Sequence, residues 1–299
     1  MSGDRPSARF EMQPGNLKGI LAMTLAVAAF SAMDAQLKLL AAHYPPMQVS
    51  FLRGATSLPF ILLPLLLRGR LARLRPVNLP LHALRGVLAV LMLTSFVYAV
   101  RESSLAVTYS IFMFAPLLIV ALSIPLLGER VSRAQWVAIA VGLAGVMLML
   151  RPRGGQWVSA ASLAAVVAMC CYALAAVSLR LLARTDTTES MVFSFTAALA
   201  VGAGLLSLPV WQDLRIEHGW LLLGIGLTGT LGQQLITEAF RAAPASVVAP
   251  FEYTALLWGV ALDLAIWNVL PDGVTVAGGA IVTGAGLYLL ARERRATSA

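Results

Sequence analysis

Apolar residues in this 299-residue chain come in long unbroken blocks and do not alternate with polar ones. A helix needs roughly 20 apolar residues to cross about 30 Å of hydrocarbon, and blocks of that length recur from end to end with short polar breaks. Ten can be drawn, over residues 17–40, 47–67, 81–100, 105–127, 131–150, 157–182, 189–210, 220–240, 245–269 and 274–290. Barrel strands are a poor alternative, because a lipid-facing strand alternates and runs such as PFILLPLLL (59–67) do not. The pattern therefore predicts an all-α integral membrane protein.

Composition agrees, with 59% hydrophobic residues, 12% charged and a mean hydropathy of +0.82. The net charge of +8 would suit nucleic acid, but the basic residues gather at segment ends and in breaks, where they set orientation. If the N-terminus is cytoplasmic, thirteen arginines fall on the inner side and four on the outer side, and Arg68, Arg70, Arg73 and Arg75 all share one inner break. Both termini are then expected inside, in a bacterial inner (cytoplasmic) membrane, and no nucleic-acid partner is expected. The polar head 1–16 reads as a cytoplasmic tail, and the apolar run after it is too long for a cleavable signal. Cys170 and Cys171 are adjacent inside a segment, and His43, His82 and His218 lack partners at ligand spacing, so neither a disulfide framework nor a metal is expected. No cofactor is expected either, and oligomeric state is unreadable.

The chain also repeats itself. FSAMDAQLKLLA (30–41) returns as YALAAVSLRLLA (172–183), and LAVTYSIFMFAP (105–116) aligns with ASVVAPFEYTAL (245–256). The last segment of each half carries glycines, Gly142 and Gly145 in one and Gly284 and Gly286 in the other. Five segments per repeat is an odd number, so the halves, 17–150 and 157–292, would be inverted relative to each other, with a short cytoplasmic tail at 293–299. Ten transmembrane helices as two inverted five-helix repeats around a central cavity is an architecture that supports alternating access.

With these features, the LLGERVS stretch (126–132) and APASVVAPFEYTALLWG (243–259), the chain resembles the EamA-type branch of the drug/metabolite transporter superfamily over nearly its whole length. Within it the resemblance is greatest to YddG-type exporters of aromatic and hydrophobic amino acids. Lys38 and Arg53 match basic residues that members carry on the first two helices. Asp34 departs from the pattern, which has a small or amide residue there.

Ionisable residues at membrane depth are costly unless paired or hydrated, which makes each a candidate site. Asp34 and Lys38 stand at i, i+4 and can touch. With Arg53 they are expected to help close the outer mouth, while Arg85, Arg180, Glu238 and Glu252 are expected to help close the inner one. Lys38 and Arg180 are candidate mirror-image gate residues. Between these layers a substrate is expected to meet Phe30, Asp34, Tyr98, Tyr109, Met113, Tyr172, Gln233, Gln234 and Tyr253, which offer aromatic faces and polar groups. For any single aromatic, ordinary packing is the competing reading; for the charges, helix register is. Pro59, Pro64, Pro116, Pro125 and Pro250 allow bends.

No Walker A motif and no paired catalytic groups are found, so a transporter driven by gradients fits better than an enzyme or a channel. The expected partners are the lipid bilayer and a small-molecule substrate, an amino acid or similar, exported from the cytoplasm. Cationic drugs or another metabolite remain the alternative. Proton coupling through Glu238, Glu252, Asp34 or Asp263 stays open.

Overall fold

The computed structural model describes residues 14–127, 133–149, 159–182, 185–242 and 249–297. Among them the regular structure is helical, and each of the ten apolar blocks contributes helix. In chain order these are α1 (Pro14–Ala41), α2 (Pro46–Leu67), α3 (Leu79–Glu102), α4 (Leu105–Phe112), α5 (Ala115–Leu127), α6 (Arg133–Met149), α7 (Ala160–Leu182), α8 (Thr188–Ser207), α9 (Gly219–Ala242), α10 (Thr254–Trp267) and α11 (Gly273–Thr297). Five stretches are long and apolar enough to cross a membrane: Leu17–Ala41, Pro46–Leu67, Leu79–Glu102, Ala160–Ser178 and Thr188–Val210. This is an all-helical integral membrane protein. The expected residues Arg5, Arg9, Arg130, Arg151, Arg153 and Arg184, and parts of the stretches at 126–132 and 243–259, lie outside the described residues.

The fourth block is not one helix. It breaks at Met113 and Phe114, and Pro116 sits in the first turn of α5, where the missing N–H costs no helical bond. The ninth block breaks in the corresponding place: a 3-10 turn, Ala249–Tyr253, containing Pro250 precedes α10. Pro59 and Pro64, by contrast, lie within a continuous α2. α10 stops at Asn268, which takes a left-handed conformation (φ 55°) that asparagine tolerates.

Helix packing is reciprocal. α1 packs most extensively on α9, and α3 on α7; α2 meets α8, and α6 meets α11. The α1–α9 seam shows how the sequence permits this. Phe30 and Met33 of α1 lie over Gly232 and Gly229, where a Cβ would come within 2.9 Å of the Phe30 ring and of the Met33 sulfur. Gln36 lies over Gly224 in the same way. On its other flank Gly226 accepts the backbone of α2, with the Thr56 carbonyl 2.5 Å from where a Cβ would stand. Only glycine allows both approaches.

We call the end of the bundle where α1 begins proximal and the other end distal. The main hydrophobic core joins α1, α2, α3, α4 and α9, with Leu37, Leu40, Val97 and Ile225 fully buried. A second core joins Ile111, Phe114 and Leu117 to Met169, Val146 and Val282.

Candidate functional site

The polar residues at membrane depth form connected groups. Tyr109 on α4 donates its hydroxyl proton to Asp34 on α1, at 2.6 Å, and is also hydrogen-bonded to Ser31. Arg53 on α2 is within electrostatic reach of Asp34, and its Nε has no hydrogen-bond partner. Aromatic rings wall this cluster. Phe96 of α3 stacks on Tyr109 with centroids 6.5 Å apart, and Phe112 stands edge-on to Phe96 at 5.4 Å. Tyr172 of α7 follows at 6.3 Å from Phe112. Gly259 of α10 leaves room for the Tyr109 ring, which a Cβ there would approach to 2.7 Å. Glu252, on the turn before α10, interacts electrostatically with Tyr172 and Tyr253, and the buried Tyr253 hydroxyl is unpartnered. Met113 is buried in the second core beside Tyr253. Two carboxylates, one guanidinium and several ring faces are thus gathered inside the bundle.

Lys38 does not pair with Asp34. It reaches Asp263 on α10 at 3.3 Å and lies 4.3 Å from the centre of the Trp267 ring. Asp263 is 1% exposed and also accepts the backbone N–H groups of Leu105 (3.1 Å) and Ala106 (2.7 Å). Ser104 accepts from Val107, so the first three N–H groups of α4 are all satisfied by side chains. Tyr109 draws Asp34 toward α4, while Asp263, with two backbone donors already in place, offers Lys38 the better-held anion. Sequence spacing alone favoured the i, i+4 pair. Asp263 as a partner was missed, and the available signal was a lone carboxylate inside the apolar run GVALDLAIW.

Other expected site residues are placed as follows. Phe30 is half-buried over Gly232, and Gln233 is half-buried on α9. Gln234 is exposed on a stripe with Leu223, Leu227 and Leu231, and Tyr98 is exposed on a stripe with Leu84, Val87 and Leu91. Both therefore face away from the cluster. Among the described side chains, the expected inner set shows no single ion-pair layer. Glu238 pairs with Lys18 at 2.5 Å on an exposed rim. Arg85 is buried against Phe195, with its ring contact at 5.3 Å and no hydrogen bond to Nε or Nη1. Glu252 faces tyrosines. The side chain of Arg180 lies outside what the structure describes.

The two ends carry further ties. Distally, the Gln48 amide and the Gln212 backbone bond each other in both directions, at 2.6 and 2.9 Å. Tyr44 contacts His218 at 2.8 Å and accepts from the Arg215 N–H. Proximally, Asp186, between α7 and α8, contacts His82 at 2.9 Å and accepts from the Val77 N–H at 2.7 Å and from the Thr185 hydroxyl. Burial pushes the Asp186 carboxyl up, but these hydrogen bonds and the nearby His82 outweigh it and hold the group at about 2. Arg73 pairs with Glu189 at 2.9 Å.

The EamA-like transporter family model matches residues 17–151. A riboflavin transporter of Vibrio cholerae is 30% identical over 270 residues, covering 89% of this chain and 90% of its own. The chain belongs to the EamA-like transporter family. It is also similar to the pseudopaline exporter CntI of Pseudomonas aeruginosa, 29% identical over 276 residues (91% of this chain, 95% of that one). An S-adenosylmethionine uptake transporter of Rickettsia prowazekii is 26% identical over 289 residues, covering 94% and 95%. A solved crystal structure shares the fold, with a TM-score of 0.63 at 22% identity over 93% of this chain and 98% of that one. The chain is a small-molecule transporter of the membrane, as its family and these relatives are transporters.

Proposed function

We propose that the chain exports small amino-acid-like metabolites, those with aromatic or hydrophobic side chains foremost, by alternating access between two inverted five-helix halves. The observation that carries this reading is the Asp34–Tyr109 hydrogen bond beside Arg53, enclosed by Phe96 and Phe112. A zwitterion offers an ammonium group to Asp34 and a carboxylate to Arg53, whose Nε is free to donate, while an apolar side chain lies against the rings. The reciprocal packing of α1 on α9 and α3 on α7, and the matching breaks at Met113 and Tyr253, support the inverted halves. The arginines at 68–75 support a cytoplasmic proximal end. The test is counterflow in proteoliposomes with a panel of amino acids. Asp34→Asn removes one charge from the pair, and loss of a charged hydrogen bond worth about 1.5–3 kcal/mol predicts a roughly ten- to hundredfold loss of apparent affinity. Unchanged affinity for every saturating substrate would sink the assignment.

A second reading is favoured by the two interior carboxylates, Asp34 and Glu252: an organic cation with an aromatic part. Competition by quaternary amines but not by amino acids would select it. Under either reading the carboxylates are the candidates for proton exchange. Transport that is indifferent to an imposed pH gradient excludes that coupling.

A further inference from the structure

Arg85 is unlike the other charges at the proximal end. It sits in the second turn of α3, is only 8% exposed, and has neither Nε nor Nη1 in a hydrogen bond. Three carboxylates described at that end are engaged elsewhere: Asp186 with His82 and Val77, Glu189 with Arg73, and Glu238 with Lys18. The one described contact of its guanidinium is the face of Phe195 on α8, at 5.3 Å. A ring face attracts the charge but leaves the N–H donors unused. The guanidinium cannot shed its proton, so a buried, unpaired one is retained at a cost that a bound anion would remove. Helices α3 and α8 pack closely beside it, where Gly86 meets Ala198.

We propose that Arg85 forms an oxyanion site between α3 and α8, separate from the Asp34 cluster, which takes a carboxylate or phosphate group. The planar fork of the guanidinium matches both groups with two parallel hydrogen bonds. Arg85 stands eleven residues from Phe96 on the same helix, about 16 Å along its axis, so one small molecule does not occupy both sites at once. The oxyanion belongs either to the carboxylate of a molecule in transit or to the phosphodiester of an anionic lipid lodged between the two helices.

The test uses the full chain in dodecylmaltoside micelles, which carry no phosphate or carboxylate, with thermal unfolding followed by tryptophan fluorescence. Sodium acetate is added in one arm, at ionic strength matched with sodium chloride, and phosphatidylglycerol is added as mixed micelles in the other. A rise in Tm of a few degrees is expected in at least one arm, abolished by Arg85→Gln and partly kept by Arg85→Lys. A rise with acetate identifies a carboxylate in transit, and a rise with phosphatidylglycerol alone identifies the lipid. No rise in either arm, or an equal rise in Arg85→Gln, overturns the site. Arg85→Met, which keeps the packing volume, guards against a folding artefact. In micelles without added anion its Tm should equal or exceed that of the wild type, and a marked fall would show that Arg85 already has its partner.

Discussion

The two ends of the bundle carry different kinds of polar contact. At the distal end Asp263 is buried and joins three helices at once, through Lys38 of α1 and two amides of α4. Among the described proximal ties, Arg73 to Glu189 and Lys18 to Glu238 lie on the exposed rim, as Arg101 to Glu102 and Arg215 to Glu217 do distally, while His82 with Asp186 is withdrawn from solvent. A buried charge with defined donors resists removal far more than a solvated pair, since whatever remains is left without compensation. Under the proposed alternating access, parting the helices around Asp263 would require Lys38 and the α4 amides to exchange partners.

The largest expected effect is at Asp263. Asp263→Ala strips the counterion from Lys38 and two acceptor oxygens from the α4 N-terminus, and should cost about 3–5 kcal/mol, seen as a large fall in Tm in detergent. A loss similar to that of a rim variant would erase the contrast between the ends. Lys38→Met should cost less, about 1.5–3 kcal/mol, because Asp263 keeps its two backbone donors. It should also raise labelling of cysteines placed at the distal end, and unchanged labelling would argue that Lys38 is not part of the closure.

Asp186 sharpens the comparison through pH. Its folded value of about 2 lies below the ordinary 3.9 or so of an unfolded aspartate. Its contribution is therefore complete above about pH 4 and is lost as pH falls toward 2. Asp186→Asn should flatten the stability profile across that window, and a slope equal to that of the wild type would show that the carboxylate is not held by these bonds. The smallest effect is expected for Lys18→Ala, within about 1 kcal/mol and diminished further by salt.

Much of this was legible in the sequence, and the reasons for the remainder are specific. The apolar blocks gave the helices because burying the backbone in lipid leaves few other solutions. Pro116 and Pro250 marked two breaks, whereas Pro59 and Pro64 look the same in sequence and lie within a continuous helix. The aromatic–acid cluster was partly readable, since Asp34, Tyr109, Tyr172 and Tyr253 are polar or bulky residues in apolar blocks. The choice of partners was not. Lys38 and Asp263 are 225 residues apart, and nothing local distinguishes that pairing from the i, i+4 neighbour. Tyr98 and Gln234 show the converse limit, because a residue type announces chemistry but only helix rotation decides which way it faces.

The notched seam between α1 and α9 has a mechanical consequence. Gln36, Met33 and Phe30 are spaced evenly by three, while the glycines they occupy, 224, 229 and 232, are spaced by five and then three. A one-turn slip of about 5.4 Å would drive side chains onto residues that have no room for them. The seam is keyed, so α1 resists sliding along α9.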